Sequence, residues 1–308
     1  MGNNITGIHA FWSQPTLTGT KGHHLTGESE FKMFDFELIH FVLSALFYKK
    51  LNGPIYLYTD NTFATYLNKN NLLGIWDFVD VGKYNEFTEI NLNSKNNWTG
   101  FKTWLLKELP APFLLFDHDN IIYTEIPKKL FDTSVRFAHL ETINPYYYPD
   151  KEDMQCGNFE FDNDWDWSLD VANTCMLYFK DNDFKNKYSE KAMEFELNNN
   201  PEDDHLAEVQ YLFADQRLLV MMLEKENIDY GTFSNNKFTP QGDRPDWTTI
   251  GSDKLLDKVG FDHTWGYKHY LKKDYNARKT YMQRHIEMIK DNFMEYYSTL
   301  YPIFKDYE

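Results

Sequence analysis

The chain has 308 residues and a formal net charge of −16, with 47 acidic against 31 basic side chains. That balance argues against a nucleic-acid backbone or an anionic membrane surface as principal partner, and a chain this long buries a sizeable core. Aromatics make up 18% of the residues, and two cysteines, Cys156 and Cys175, exclude a disulfide framework or a cysteine zinc site.

The N-terminus lacks a basic region followed by a long apolar run, so no signal peptide is expected. No stretch approaches the roughly 20 apolar residues of a membrane span, and the expected location is cytoplasmic. Residues 5–12 read as a first strand that stops at Ser13. The polar stretch 16–30 is long for a connection inside a compact domain and suits a binding loop or lid. His23 and His24 within it read as surface histidines.

Phe34, Leu38, Phe41, Val42, Ala45 and Leu46 recur at helical spacing, and Asn52-Gly53 is a helix stop. Residues 54–58 form a second strand closing on Asp60, followed by a helix over 62–68 and a short strand near 75–81. Asn97 is placed to cap a helix over 98–109. This alternation predicts a helix-covered, largely parallel sheet.

Phe113 to Phe116 is a continuous apolar run, the mark of a strand buried on both faces. It ends abruptly at Asp117-His118-Asp119. Ligands of open α/β sheets bind beyond the carboxyl ends of the strands. If the chain stays extended there, Asp117 and Asp119 share one side and His118 takes the other. Paired carboxylates suit a hard divalent cation, and that cation suits a phosphate. Acidic residues also end strands simply because turns favour them.

Further on, residues 134–140 read as a strand and 146–170 as loops rich in Tyr, Trp and Asp. A strand over 171–179 precedes an amphipathic helix to about Leu197. One long helix is expected over 206–226 and a terminal helix over 272–301, with Tyr281, Ile286, Ile289, Phe293 and Tyr297 as its stripe. With no internal repeat and no clean linker, the expected organisation is 1–260 as one domain. Its nucleotide-binding half covers 1–125 and a donor-sugar and acceptor half covers 126–260, with 261–308 packing on it.

Several stretches together resemble glycosyltransferases of the GT-A fold. The likeness is to metal-dependent retaining families, such as bacterial galactosyltransferases of lipo-oligosaccharide synthesis and glycogenin relatives, and to a capsular-polysaccharide transferase family. Asp117-His118-Asp119 resembles their metal-holding Asp-x-Asp. His263 to Lys268 resembles their His-x-x-Gly-x-x-Lys, one residue shorter, where His is a third metal ligand and Lys contacts phosphate. Asn173, in residues 171–179, is similar to an Asn that contacts the donor sugar, and Asp215-Gln216 to a pair near the anomeric carbon.

The resemblance implies an α/β GT-A-like (Rossmann-like) mixed sheet covered by helices, with a C-terminal helical extension. It implies metal-dependent, retaining transfer of a sugar from a nucleoside-diphosphate donor, UDP-linked, to a carbohydrate or glycolipid acceptor. Asp117, Asp119 and His263 would hold Mn²⁺ or Mg²⁺, Trp12, Ser13, Asp60 and Lys268 the nucleotide, and Asn173, Asp215 and Gln216 the sugar. Aromatic and acidic residues over 146–148 and 162–167 would face the acceptor, with Asp162, Asp164 or Asp166 as base if the reaction inverts. A metal-dependent phosphoester or pyrophosphate hydrolase uses similar residues, and a non-catalytic carbohydrate-binding protein could keep the fold.

Overall fold

The computed structural model describes residues 5–17, 31–235, 237–238, 260–264 and 267–308. The histidines at 23 and 24 and the residues at 265 and 266 lie outside these. β1 (Thr6–Phe11) is followed by a single turn, α1 (Gln14–Leu17), and then by α2 (Asp35–Leu51). β2 (Ile55–Thr59), α3 (Asn61–Lys69), β3 (Phe78–Asp80), α4 (Gly82–Thr88) and α5 (Gly100–Glu108) lead into β4 (Phe113–Phe116). These four strands are parallel neighbours in the order β3-β2-β1-β4.

The second half turns the sheet mixed. β5 (Asn120–Ile122) leaves it, β6 (Val135–Glu141) and β7 (Val171–Phe179) rejoin it, and β7 runs antiparallel between β4 and β6. α6 (Asn182–Asn198), α7 (Asp204–Val209) and α8 (Leu218–Lys225) follow. β8 (Tyr230–Thr232) and β9 (Lys237–Phe238) both pair parallel with β6. β10 (Phe261–His263) pairs antiparallel with β5 in a separate two-stranded ribbon. α9 (Tyr267–Lys273), α10 (Tyr275–Asn292) and α11 (Tyr297–Phe304) complete the chain. This is the mixed, helix-covered α/β sheet with a C-terminal helical extension that the sequence predicts.

β4 explains why two layers of helix are needed. Leu114 and Phe116 enter one core with α2 and the C-terminal helices. Phe113 and Leu115 enter the other with α5, α6 and α8. All four are 2% exposed or less, each contributing roughly 1.5–3 kcal/mol by burial. α2 is buried on every side rather than along one stripe, because α10 and α11 cover its outer face. It stops where expected: Asn52 donates to the Tyr48 carbonyl, and Gly53 takes φ +146°, which disfavours a side chain.

Three expectations need correction. The helix expected over 98–109 begins at Gly100 with Thr99 at its cap position. Asn97 instead donates to the Asn93 carbonyl and accepts from the Asn199 amide. The long helix over 206–226 is interrupted by a π-helical turn, Phe213–Arg217. The terminal helix breaks at Phe293, with φ −145° and ψ 43°, into α10, a 3₁₀ turn and α11. Among the described residues no helix is long and apolar enough to cross a membrane.

Candidate functional site

Asp117 stays in register one residue beyond β4, because its N–H donates to the Cys175 carbonyl of β7 at 2.9 Å. The chain then turns instead of staying extended, with the Asn120 N–H donating to the Asp117 carbonyl at 3.1 Å. That turn launches β5 toward β10, and His263 falls opposite Asn120. The Thr264 N–H donates to the Asp119 carbonyl at 3.0 Å and locks the register. One ligand atom each from Asp117, Asp119 and His263 thus lie within 4.8 Å of one another. His118 turns away and packs edge-on to Phe11 and Phe41. Burial pushes its pKa down to about 3, which keeps it neutral.

Two carboxylates and an imidazole are a donor set that suits Mn²⁺ or Mg²⁺ better than a soft metal, and these residues fit such an ion. His263 Nε2 is 3.6 Å from Asp119 Oδ2, and Lys268 Nζ is 2.5 Å from the same oxygen. The shortened spacing before Lys268 therefore still delivers its ammonium to Asp119. Burial works to raise the Asp119 pKa, but Lys268 and His263 outweigh it and hold the carboxyl well below its usual range. At Asp117 burial wins, and the pKa rises despite Lys102. At His263 burial opposes charge, yet Cys175 and Asp119 raise the imidazole well above its usual value.

Lys102 is the residue that the sequence reading misses. Its Nζ sits 3.0 Å from Asp117 Oδ1 and 3.2 Å from Asp215 Oδ1, and donates to the Thr174 carbonyl at 3.1 Å. Burial alone would lower its pKa; the two carboxylates raise it. A signal existed: Lys102 heads a stripe with Leu105, Leu106 and Leu109 at core spacing, where a charge needs a partner. Asp215 reaches it from the π-helical turn, only 6% exposed and not on a solvated helix face. The Tyr188 hydroxyl, 2.8 Å from the Ala214 carbonyl and 3.0 Å from that of Asp215, donates into the widened turn.

Asn173 is 2% exposed, and its Nδ2 donates to Glu141 Oε1 at 2.6 Å while its Oδ1 accepts from the Cys175 N–H. Gln216 lies on the neighbouring turn, with Oε1 placed 2.8 Å from the Tyr148 hydroxyl. That hydroxyl is also 2.6 Å from Glu141 Oε2. Glu141 and His139 are further polar groups that sequence reasoning passed over, and Tyr148, expected on the acceptor side, joins them here instead.

Trp12, Ser13 and Asp60 end β1 and β2. Trp12 Nε1 donates to the Tyr84 hydroxyl at 3.2 Å, and its ring meets Phe87 edge-on at 5.0 Å. Asp60 caps α3 through the Phe63 N–H and accepts from the Ser13 N–H at 2.5 Å. Both its carboxylate oxygens are therefore engaged by backbone, and this corner is a structural tie between two strand ends. Asp162 pairs with Lys225, and Asp166 accepts from the Ser168 hydroxyl.

Fold and site together define a mixed α/β protein with a carboxylate–imidazole cluster, neutralised by two lysines, beyond the end of a central strand. The chain belongs to the family described as a family of unknown function (DUF6734), whose model matches residues 5–303. No curated protein matches it in sequence. Among solved structures it is similar to a nucleoside-diphosphate-sugar pyrophosphorylase from Vibrio cholerae RC9, at 11% identity and TM-score 0.35, covering 77% of this chain and 92% of that one. It is similar to the glycosyltransferase GlyE of Streptococcus pneumoniae TIGR4, at 11% identity and TM-score 0.34, covering 79% and 46%. It is also similar to the galactosyltransferase LgtC in complex with donor and acceptor sugar analogs, at 12% identity and TM-score 0.35, covering 67% and 70%.

Proposed function

We propose that this protein is a metal-dependent glycosyltransferase that moves a sugar from a UDP-linked donor to a carbohydrate or glycolipid acceptor with retention of configuration. The observation that carries the reading is the convergence of Asp117, Asp119 and His263 within 4.8 Å at a strand end. Lys268 and Lys102 stand beside them. A nucleoside diphosphate brings two phosphates that need neutralising, and a Mn²⁺ or Mg²⁺ ion held by those three residues would stabilise the departing charge. Lys268, already on Asp119, would turn its ammonium toward the same phosphates as a point charge. Asp215 and Gln216, brought to the site by the π-helical turn, would orient the sugar, with Asn173 buried behind them. Trp12 would offer the aromatic face for the base, beside Ser13 and Asp60.

Calorimetric titration of UDP with and without Mn²⁺ tests the reading. Binding that requires the metal supports it. Equal binding without metal, or none in either condition, sinks it.

A further inference from the structure

Glu141 ends β6, and at 1% exposure it cannot touch a substrate. It nevertheless gathers the two amides that the proposed function places at the donor sugar. Oε1 accepts from Asn173 Nδ2 at 2.6 Å, with His139 Nε2 3.3 Å away. Oε2 accepts from the Tyr148 hydroxyl at 2.6 Å. These hydrogen bonds overcome the burial that would otherwise raise its pKa, and Glu141 stays a carboxylate, lowered from its usual value. A buried carboxylate accepts and never donates, so it dictates which way each neighbour faces.

That polarity propagates. Asn173 must turn its NH₂ to Glu141, which leaves Oδ1 to the Cys175 N–H at 3.1 Å. Tyr148 has one hydroxyl proton and two acceptors within reach, Glu141 at 2.6 Å and Gln216 Oε1 at 2.8 Å. The charged acceptor takes the proton. The Gln216 amide, rotated so that its NH₂ meets the Tyr148 oxygen, then satisfies the pair, an orientation set by the hydrogen-bond network. Gln216 is thereby left with its carbonyl oxygen directed away from Tyr148.

We infer that Glu141 is a positioning residue that fixes the orientation of both the Asn173 and Gln216 amides, and through them the donor-sugar half of the site. The inference rests on the transferase reading above. It separates two halves of the site: the side-chain partners of Glu141 are Asn173, Tyr148 and His139, so the metal and diphosphate half feels it only at second hand, through His139 and Cys175.

The test compares wild type, Glu141→Gln and Tyr148→Phe. Glu141→Gln keeps shape but cannot accept from both donors; Tyr148→Phe cuts only the arm to Gln216. Side-chain amide NMR signals, assigned by their loss in Asn173→Asp and Gln216→Glu, report orientation without any ligand. The expected result is that Glu141→Gln moves both signals and Tyr148→Phe moves that of Gln216 alone. In Glu141→Gln the affinity for UDP with Mn²⁺ stays within about twofold. The kcat for a panel of UDP-sugars falls roughly 10- to 100-fold, the scale of misplaced site groups. Wild-type binding of UDP with Mn²⁺, together with unmoved signals or unchanged turnover in Glu141→Gln, overturns the role of Glu141 alone. Wild type that fails to bind UDP with Mn²⁺ overturns the transferase reading and the role with it.

Discussion

Lys102 and Asp215 face each other across the site at 3.2 Å, and the partly exposed Asp117 completes a carboxylate–ammonium–carboxylate sandwich. The helix that carries Lys102 and the π-helical turn that carries Asp215 are both drawn to one point beside β4.

Removing that ammonium would leave two acidic groups facing each other with burial against them. Lys102→Met is expected to cost about 3–5 kcal/mol, as breaking a buried ion network does. Urea unfolding measures it. Adding Asp215→Asn should return part of the loss, and a double variant no more stable than the single one would contradict the sandwich.

Asp119 is the shared partner of His263 and Lys268. Asp119→Asn is expected to weaken Mn²⁺ affinity by at least roughly tenfold while leaving the far-UV spectrum unchanged. Mn²⁺ paramagnetic resonance gives the free-ion fraction directly. Equal affinity in both proteins would remove Asp119 from the ligand set.

Glu196 of α6 accepts from Thr103 Oγ1 at 3.1 Å, while its Oε2 has no hydrogen-bond partner among the described residues. Burial raises its pKa from 4.5 to about 8. The folded state thus holds a proton that the unfolded chain releases above about pH 4.5. The stability this confers is complete below that pH, shrinks as pH rises, and is gone once pH passes about 8. Glu196→Gln has no proton to lose, so its Tm should fall less than that of wild type from about pH 5 to about pH 8. Parallel Tm profiles would refute the assignment.

Arg217 is 1% exposed, stacks 4.6 Å over Trp167, and donates to the carbonyls of Tyr148, Pro149 and Trp167. It clamps the irregular stretch between β6 and β7. Arg217→Met is expected to cost about 3 kcal/mol through the stranded carbonyls. Limited proteolysis should then cut within residues 146–170 first. A cut elsewhere, at the wild-type rate, would mean that the stretch holds itself.

The residues make some of this legible and hide the rest. β4 can be read from its unbroken apolar run, and β7 from a longer apolar run broken only by Asn173 and Thr174, since burial on both faces leaves few polar positions. The break in the terminal helix cannot, because Phe293 keeps the apolar spacing of its stripe while its backbone leaves the helix. The π-helical turn hides for a similar reason: one extra residue in a turn barely disturbs the periodicity around Asp215. Asp117 and Asp119 stand out as charges at the end of an apolar run. Their meeting with His263 depends on β5 and β10, three residues each, whose pairing is a tertiary event with no local signal. Lys102 was visible as a charge on a core stripe, but its two partners were not.

The ribbon of β5 and β10 also orders events in time. The Thr264 hydroxyl reaches the Asp119 carbonyl across 145 residues of chain, a loop whose closure entropy must be met before its contacts reward it. A chain emerging from the ribosome can lay down β1 to β4 and begin covering them with α2 and α5 well before His263 exists. The meeting of Asp117, Asp119 and His263 is therefore a late product of folding, and if these residues hold a metal as proposed, metal affinity followed during refolding would serve as a clock for its last step.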